Sequence, residues 1–388
     1  MLSICFLSSM HPPFDKRVFE KEARSLAVAG FSVTHIAPGD GAELVANGVR
    51  IVTYPGRKGL FGRILQLRLL YKIAVSVGAD VYHCNEVDSW LVGLALKAFH
   101  GSKCVVDIHE HYPEEFAETR FPIFLRSIVR CLVASGMWVF SQFTDRVVVA
   151  KSSLLHDFEY LPEDKLVLVQ NFSPLRNFSE DDQVEIKDKL PSQEFRMIHL
   201  GLFGVARGWL QLLKAMTILD DKDIKLLIVG ETGDGSDKAL REECMARGLD
   251  ESIEMIDWLP INEAMELVKT SHLGLILFQP GYYNHVHALP HKLFDYMGAA
   301  VPVVVPQIAV EVVDIVAKSD CGLCIDTGSP EAIAAAIKEA KENTIAMVKK
   351  GKNGREAVFN EFNWEHEEAR LIQVYSGFSA TRKTCLNG

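Results

Sequence analysis

Lys292 and Asp295 stand three residues apart in HALPHKLFDYMGAAVPVVVP, residues 287–306. A spacing of three places two side chains on roughly one face of a helix. The pattern predicts that helix over Lys292–Met297, with Pro290 suited to its first turn and a Val-rich strand just after it. A helix start carries free N–H groups and a partial positive charge, and so attracts phosphate. Lys292 adds a full cation there. Asp295, one turn deeper, offers a carboxylate to a ribose diol. The alternative on this segment alone is an exposed Lys–Asp pair, worth roughly a few tenths of a kcal/mol.

Other segments carry compatible chemistry. Gly201, Gly204 and Gly208 in HLGLFGVARGWLQLLKAM let the backbone approach a ligand closely. Arg207 sits at the entry to the next helix, where a phosphate could lie; the plain alternative is a surface arginine. VVDIHEHYPEEF sets His109 and Glu110 at the end of a strand. DVYHCNEVDSW sets His83, Asn85, Glu86 and Asp88 at another strand end. MHPPFDKRVFEKEARSLAVAG puts Asp15 and Arg17 at the entry to the first helix. A DxD pair, Asp221 and Asp223, comes before a strand rather than after one and reads as a turn, so a metal is not expected.

These residues need elements to hold them. LSICFLS, FSVTHIAP, VRIVTY, DVYHCN, KCVVDIH, DRVVVA and KLVLVQN read as strands. KRVFEKEARSLAVAG and DSWLVGLALKAFHG have helical spacing, and each stops at glycine. Strand–helix alternation means a parallel sheet with helices on both faces. The pattern breaks over residues 174–194, polar and with two prolines. It resumes with RMIHLGL, IKLLIVG, SIEMID, LGLILFQ, VPVVVP and CGLCID, and closes on a helix in FNWEHEEARLIQVYSGF. The expectation is an α/β chain with domains at 1–173 and 195–362, a linker at 174–194, and a terminal helix at 363–388. Ligands of open α/β sheets bind beyond the carboxyl ends of the strands, where the residues above sit.

The totals agree. At 388 residues the chain is long enough for about two domains. Its net charge of −10 is the wrong sign for a nucleic-acid binder, which more often shows a basic excess. The eight cysteines are scattered through apolar runs, as reduced core cysteines of a cytosolic protein would be. Cys321 and Cys324 form a CxxC pair, but no second pair follows to make a zinc ribbon. The N-terminus lacks the basic start of a signal peptide and reads as a first strand.

Taken in order, these segments resemble the retaining GT-B glycosyltransferases, family four in particular. HPPFDKRVFEKEARSLAVAG is similar to that family's first loop and helix, and DVYHCNEVDSWLVG and VVDIHEHYPEEF to its next two cleft segments. HLGLFGVARGWLQLLKAM is similar to the glycine loop followed by a basic–Gly pair. LPHKLFDYMGAAVPVVV is similar to the PxKxFEYxxxGxPV donor motif, and FNWEHEEARLIQVY to the closing helix. The resemblance implies two Rossmann-like domains facing across a cleft, with a nucleotide-diphosphate sugar, UDP or GDP, as the donor and no cofactor. It implies a donor set of Gly204, Arg207, His287, Leu289, Lys292 and Asp295, with Arg207 and Lys292 at the diphosphate and Asp295 at the ribose. His109 is implied as the catalytic residue near the transferred sugar. Asp15, Arg17 and Glu110 are implied near the acceptor. Two positions depart from the pattern. Eight residues before Asp295 the family often has a second glutamate, and here stands His287. Leu202 stands where many relatives carry another arginine.

Hexosyl transfer to a glycan or lipid-linked acceptor, in surface polysaccharide or glycoconjugate synthesis, is the function so implied. A cytoplasmic protein, peripheral at the inner face of a membrane, fits RKGLFGRILQLRLLYK and the apolar run Phe121–Phe143; a core-facing helix pair is the other reading of those segments. Two rivals stand beside the transferase. One is a non-catalytic sugar-nucleotide-binding protein, motivated by His287. The other is an NAD-dependent oxidoreductase, motivated by GETGDGSD with Asp257 about twenty residues on; but its glycines read GxxGxG, and the chain's first strand has no glycine loop.

Overall fold

Parallel strands are covered by helices on both faces, so they appear as unbroken apolar runs. In the computed structural model, which describes residues 1–57, 60–178 and 194–386, the runs named above all form such strands. The expected linker lies outside the described residues except at its two ends. The chain divides into two compact units, one of Met1–Asn171 with Trp364–Gly388 and one of Phe172–Asn363.

The first unit is built on strands β1 (Ser3–Leu7), β2 (Ser32–Pro38), β3 (Glu43–Ala46), β4 (Val49–Tyr54), β5 (Val81–Cys84), β6 (Lys103–Ile108), β7 (Arg146–Val149) and β8 (Leu166–Leu168). Their order in the sheet is β3-β4-β2-β1-β5-β6-β7-β8. All pairs are parallel except β3 with β4. Strand β3 was not foreseen. It is a largely exposed edge strand of four residues, Glu-Leu-Val-Ala, too short to stand out as a run.

Side chains alternate across β1. Cys5 and Leu7 enter one core layer with helices α2 (Leu60–Val77), α3 (Val87–His100) and α5 (Ile123–Phe143). Ile4 and Phe6 enter the other, with Phe19, Leu26, Trp364, Leu371 and Tyr375. The terminal helix, Trp364–Leu386, is thereby part of the first unit's core. Trp364 Nε1 donates to Ser25 Oγ at 2.9 Å, and the Tyr375 hydroxyl meets His83 Nδ1.

The second unit has six parallel strands in the order β11-β10-β9-β12-β13-β14. They are β9 (Phe195–Leu200), β10 (Ile224–Val229), β11 (Ile253–Ile256), β12 (Leu273–Leu275), β13 (Val303–Pro306) and β14 (Gly322–Ile325). Each sheet is wound outward in both directions from its first strand. The order therefore reverses between β1 and β5 in one unit, and between β9 and β12 in the other. Such reversals leave a crevice beyond the strand ends where ligands collect.

At the β1/β5 reversal a single carboxylate holds the loop. Glu86, 6% exposed, accepts from the backbone N–H of Ser9, Met10 and His11 at 2.9, 3.0 and 3.1 Å. Its Oε1 lies 2.7 Å from His11 Nδ1, and Ser89 closes a capping box at the start of α3. Burial opposes both charges, yet the pair prevails. Glu86 falls from 4.5 to about 2, through the bond and charge of His11 and the backbone donors. His11 rises from 6.5 to about 9, through the bond and charge of Glu86.

This pair predicts a plateau in stability against pH. The Glu86 contribution is complete above about 4.5 and is lost as pH falls through about 2. The His11 contribution is complete below about 6.5 and is lost as pH rises through about 9. Both limbs report one interaction and are not to be added. Glu86→Gln is expected to cost about 3 kcal/mol at neutral pH and to flatten both limbs. Urea titrations across pH measure this; parallel wild-type and variant curves would refute the assignment.

Candidate active site

Alternate residues of a strand share a face. Asp107, near the end of β6, therefore points the same way as His109 just beyond it. The structure joins them: His109 Nε2 lies 2.6 Å from Asp107 Oδ2. Asp107 is fully buried and holds Arg17 in a fork, Nε at 2.7 Å and an NH2 nitrogen at 2.9 Å. Burial disfavours the Asp107 anion, but Arg17 and His109 hold its carboxyl well below the usual range. His109 keeps some exposure, 14% of its side chain, and its ring stands edge-on to His11 with centroids 5.3 Å apart.

Two expectations for this unit need correction. Arg17 does not stand open to an acceptor. It is 3% exposed, and besides Asp107 its guanidinium meets Glu22 at 3.1 Å and Asn171 Oδ1 at 2.9 Å. Asp15 is spent locally, because its Oδ1 accepts from the backbone N–H of Arg17 and Val18 at 2.8 and 2.9 Å, at the entry to the first helix. A charged residue at a helix entry looks exposed in a sequence. Here the helix start is folded beneath its own loop. Glu110 is half-exposed and is engaged by the buried Lys151 at 2.6 Å.

Glu22, behind Arg17, is fully buried. Burial first and then the Asp107 charge push the Glu22 carboxyl well above its ordinary range, against the opposing charges of Arg17 and Lys21. The two carboxyls are thus driven apart, Glu22 toward its protonated form and Asp107 toward its ionised one. His83, expected at a strand end, lies within β5 and is fully buried; burial lowers it to about 3, and it is neutral. Glu22, His83 and Asp107 bring ligand atoms within 4.8 Å of one another. The Arg17 cation already stands against two of the three, which makes the trio a poor seat for a metal ion.

In the second unit the crevice between β9 and β12 is lined by the glycine loop. Gly208 has φ +82°, and a Cβ there would meet Leu277 O at 2.6 Å, so the loop can lie this close to β12 only with glycine. Gly204 is as tightly placed, 2.4 Å from the Asp234 carboxylate for an added Cβ. Asp234 in turn accepts from Val205 N at 2.6 Å. GETGDGSD is thus an acidic brace for the loop, and a pyrophosphate bound there would meet the Asp234 anion. That arrangement disfavours the oxidoreductase reading.

Arg207, half-buried, lies over the Phe278 ring at 4.4 Å. Lys292 is in the first turn of helix His291–Gly298, its Nζ 2.9 Å from His199 Nε2. That same nitrogen lies 2.9 Å from Leu202 O, and a neutral imidazole can serve only one of these partners at a time. Burial first, then the Lys292 and Arg207 charges, keep His199 far below its ordinary range. Lys292 thus meets a neutral ring at the end of β9, and the Arg207 charge lies close enough to act on it. His199 was not singled out in the sequence, where it reads as one more residue of a strand.

Asp295 is 1% exposed, and its Oδ1 accepts from the Ser173 hydroxyl at 2.6 Å. Leu289 is in the core, 6% exposed, so its side chain does not face a ligand. His287 is half-buried with its ring 4.7 Å from that of Tyr283.

Comparison with known proteins agrees with this fold. The family described as Glycosyltransferase Family 4 matches residues 16–175, and the one described as Glycosyl transferases group 1 matches residues 181–357. No curated protein matches the sequence. Among solved structures, sucrose-phosphate synthase from Thermosynechococcus elongatus is similar over 98% of this chain and 100% of its own, with a TM-score of 0.76 at 18% identity. HepE of Anabaena, in complex with UDP-glucose, is similar over 97% and 100%, with a TM-score of 0.73 at 14% identity. WaaG, a glycosyltransferase involved in lipopolysaccharide biosynthesis, is similar over 96% and 99%, with a TM-score of 0.68 at 13% identity. With two parallel-sheet α/β units and both family matches in order along it, the chain belongs to the family four glycosyltransferases of GT-B fold.

Proposed function

We propose that this glycosyltransferase moves a hexosyl unit from a nucleoside-diphosphate sugar to a glycan or lipid-linked acceptor, with retention and without a metal ion, on the cytoplasmic side of a membrane. The observation that carries the donor reading is the contact of Lys292, in the first turn of its helix, with the neutral His199 at the β9/β12 crevice, with Arg207 of the glycine loop over Phe278. A departing diphosphate needs positive charge already in place. Two cations and a helix start supply it, and His199, being neutral, adds no like charge that a second proton would bring. UDP is the first candidate nucleotide, since HepE is similar over nearly all of this chain and its structures hold UDP and UDP-glucose.

His109 is the catalytic candidate of the first unit. Asp107 fixes its ring, and the protonated His11 beside it adds positive charge. Glu110 remains the acceptor-side carboxylate that is partly open to water. Retention and synthesis of surface polysaccharide or glycoconjugate rest on the family resemblance. A binding protein without turnover is the second reading, favoured by the ring of His287 in place of an acid.

Thermal-shift measurements with UDP-, GDP-, ADP- and CMP-sugars test the donor site. One nucleotide is expected to stabilise the chain by about 2.7 kcal/mol at a hundredfold excess over its Kd. Lys292→Ala should weaken that nucleotide about ten- to hundredfold without loss of fold. Asp295→Asn leaves an acceptor for Ser173; it should weaken the nucleotide but not inorganic pyrophosphate. Unchanged affinity in Lys292→Ala would sink the donor assignment.

Donor hydrolysis tests the second reading. Wild type should turn over slowly without an acceptor. His109→Ala should slow this about a hundredfold while keeping the nucleotide-induced shift. Binding with no turnover, for any acceptor, would establish the binding-protein reading instead.

A further inference from the structure

Helix α5 is turned the wrong way round for water. Its outer face carries Ile123, Phe124, Ile128, Leu132, Trp138 and Phe143, each more than half exposed and up to 79%. Phe124, Ile128 and Leu132 repeat every four residues, which makes one continuous stripe. The helix has only two charged residues, Arg126 and Arg130, and both turn toward α4 (Tyr112–Arg120). Arg126 donates to Phe121 O and Glu118 O at 3.1 and 3.2 Å. Arg130 meets the Glu118 carboxylate at 3.4 Å. A helix facing water would show its arginines and bury its leucines. Exposed apolar patches of this kind mark contact surfaces.

The stripe is long and apolar enough to cross a membrane, but the topology forbids it. Strands β6 and β7 pair in parallel, Val105 opposite Arg146, and α4 and α5 form the crossover between them. Helix α5 starts from α4, against which it packs, and ends at β7; the crossover as a whole leaves and re-enters one sheet, so α5 lies along a surface.

Charge chooses that surface. Residues 60–77 and 123–143 contain arginine and lysine but no aspartate or glutamate, in a chain of net charge −10. Helices α2 and α5 flank α3 in one layer of the first unit. On the outer side of α2, Arg68 and Lys72 are exposed beside Ile64 and Leu65. An apolar stripe about 30 Å long next to exposed cations complements an anionic bilayer.

We propose that the outer face of α5, with α2 beside it, docks the first unit flat on an anionic membrane. The stripe enters the boundary between headgroups and acyl chains, and Arg68 and Lys72 pair with lipid phosphates. This goes beyond the transfer reading, and its test uses neither donor nor acceptor, so the two can fail separately.

Flotation of the full chain with vesicles of phosphatidylcholine, alone or mixed with phosphatidylglycerol, is the experiment. The chain should float with the mixed vesicles and far less with phosphatidylcholine alone. Leu132→Glu should weaken binding at least about tenfold, with Ile128→Glu as a second probe of the stripe. Arg68→Gln and Lys72→Gln should each weaken binding to mixed vesicles about fivefold. All four positions are exposed or half-exposed on the outer side, so thermal melting should not change. Absence of flotation with either vesicle would overturn the proposal, as would indifference to Leu132→Glu. So would a wild-type dimer that ignores vesicles and falls to a monomer in Leu132→Glu, which would make the stripe an interface between copies.

Discussion

The guanidinium of Arg17, shut away from water, is the group on which the first unit's site depends. It grips Asp107 with two nitrogens, Asn171 with a third contact, and stands against Glu22. These partners come from the first helix, β6 and the segment after β8. Asp107 in turn fixes the ring of His109. Removing the cation would leave a buried anion without its partner, among the most costly changes a core can suffer. Glu22, whose carboxyl is pushed toward its protonated form, makes no comparable demand on the cation. The charge state of the cluster follows from burial and from Arg17 giving its two-nitrogen fork to Asp107 rather than to Glu22.

The two units repeat an architecture and use it in opposite ways. Each sheet reverses its winding beside its first strand, and each reversal opens a crevice. The first unit fills its crevice with an internal anion: Glu86 collects the N–H groups of the β1 loop and leaves them no capacity for an outside phosphate. The second unit keeps cations at the corresponding place, with Asp234 holding the loop from outside. The same topology thus yields a braced loop in one unit and an electropositive one in the other. The difference lies in a few side chains, not in the fold.

Much of this was legible in the sequence. Apolar runs marked thirteen of the fourteen strands among the described residues, and glycines marked the helix stops at Gly30 and Gly101. The cations Arg207 and Lys292 stood out because they follow strand ends. What escaped was whatever depends on depth. Arg17 and Asp15 looked like surface charges at a helix start. Leu289 sat in a motif with charged neighbours but belongs to the core. His199 was one residue of a strand, and nothing local says that Lys292 meets it. Asp107 was recoverable: it precedes His109 by two, and that spacing alone puts both on one side.

Net charge shows the same limit. A chain at −10 does not look like one that seeks phosphate, and as a whole it is not. Electrostatic interactions between exposed charges fade over about 10 Å at ordinary salt, so a site responds to its own neighbours and not to the total. The acids are concentrated elsewhere, many already matched by nearby lysines and arginines. Around His199, and along α2 and α5, the local sign is positive. Composition therefore argued against an extended polyanion as partner while leaving open a small phosphate at one crevice and an anionic lipid surface at one helix layer. Arrangement, which only the fold supplies, distinguishes those cases.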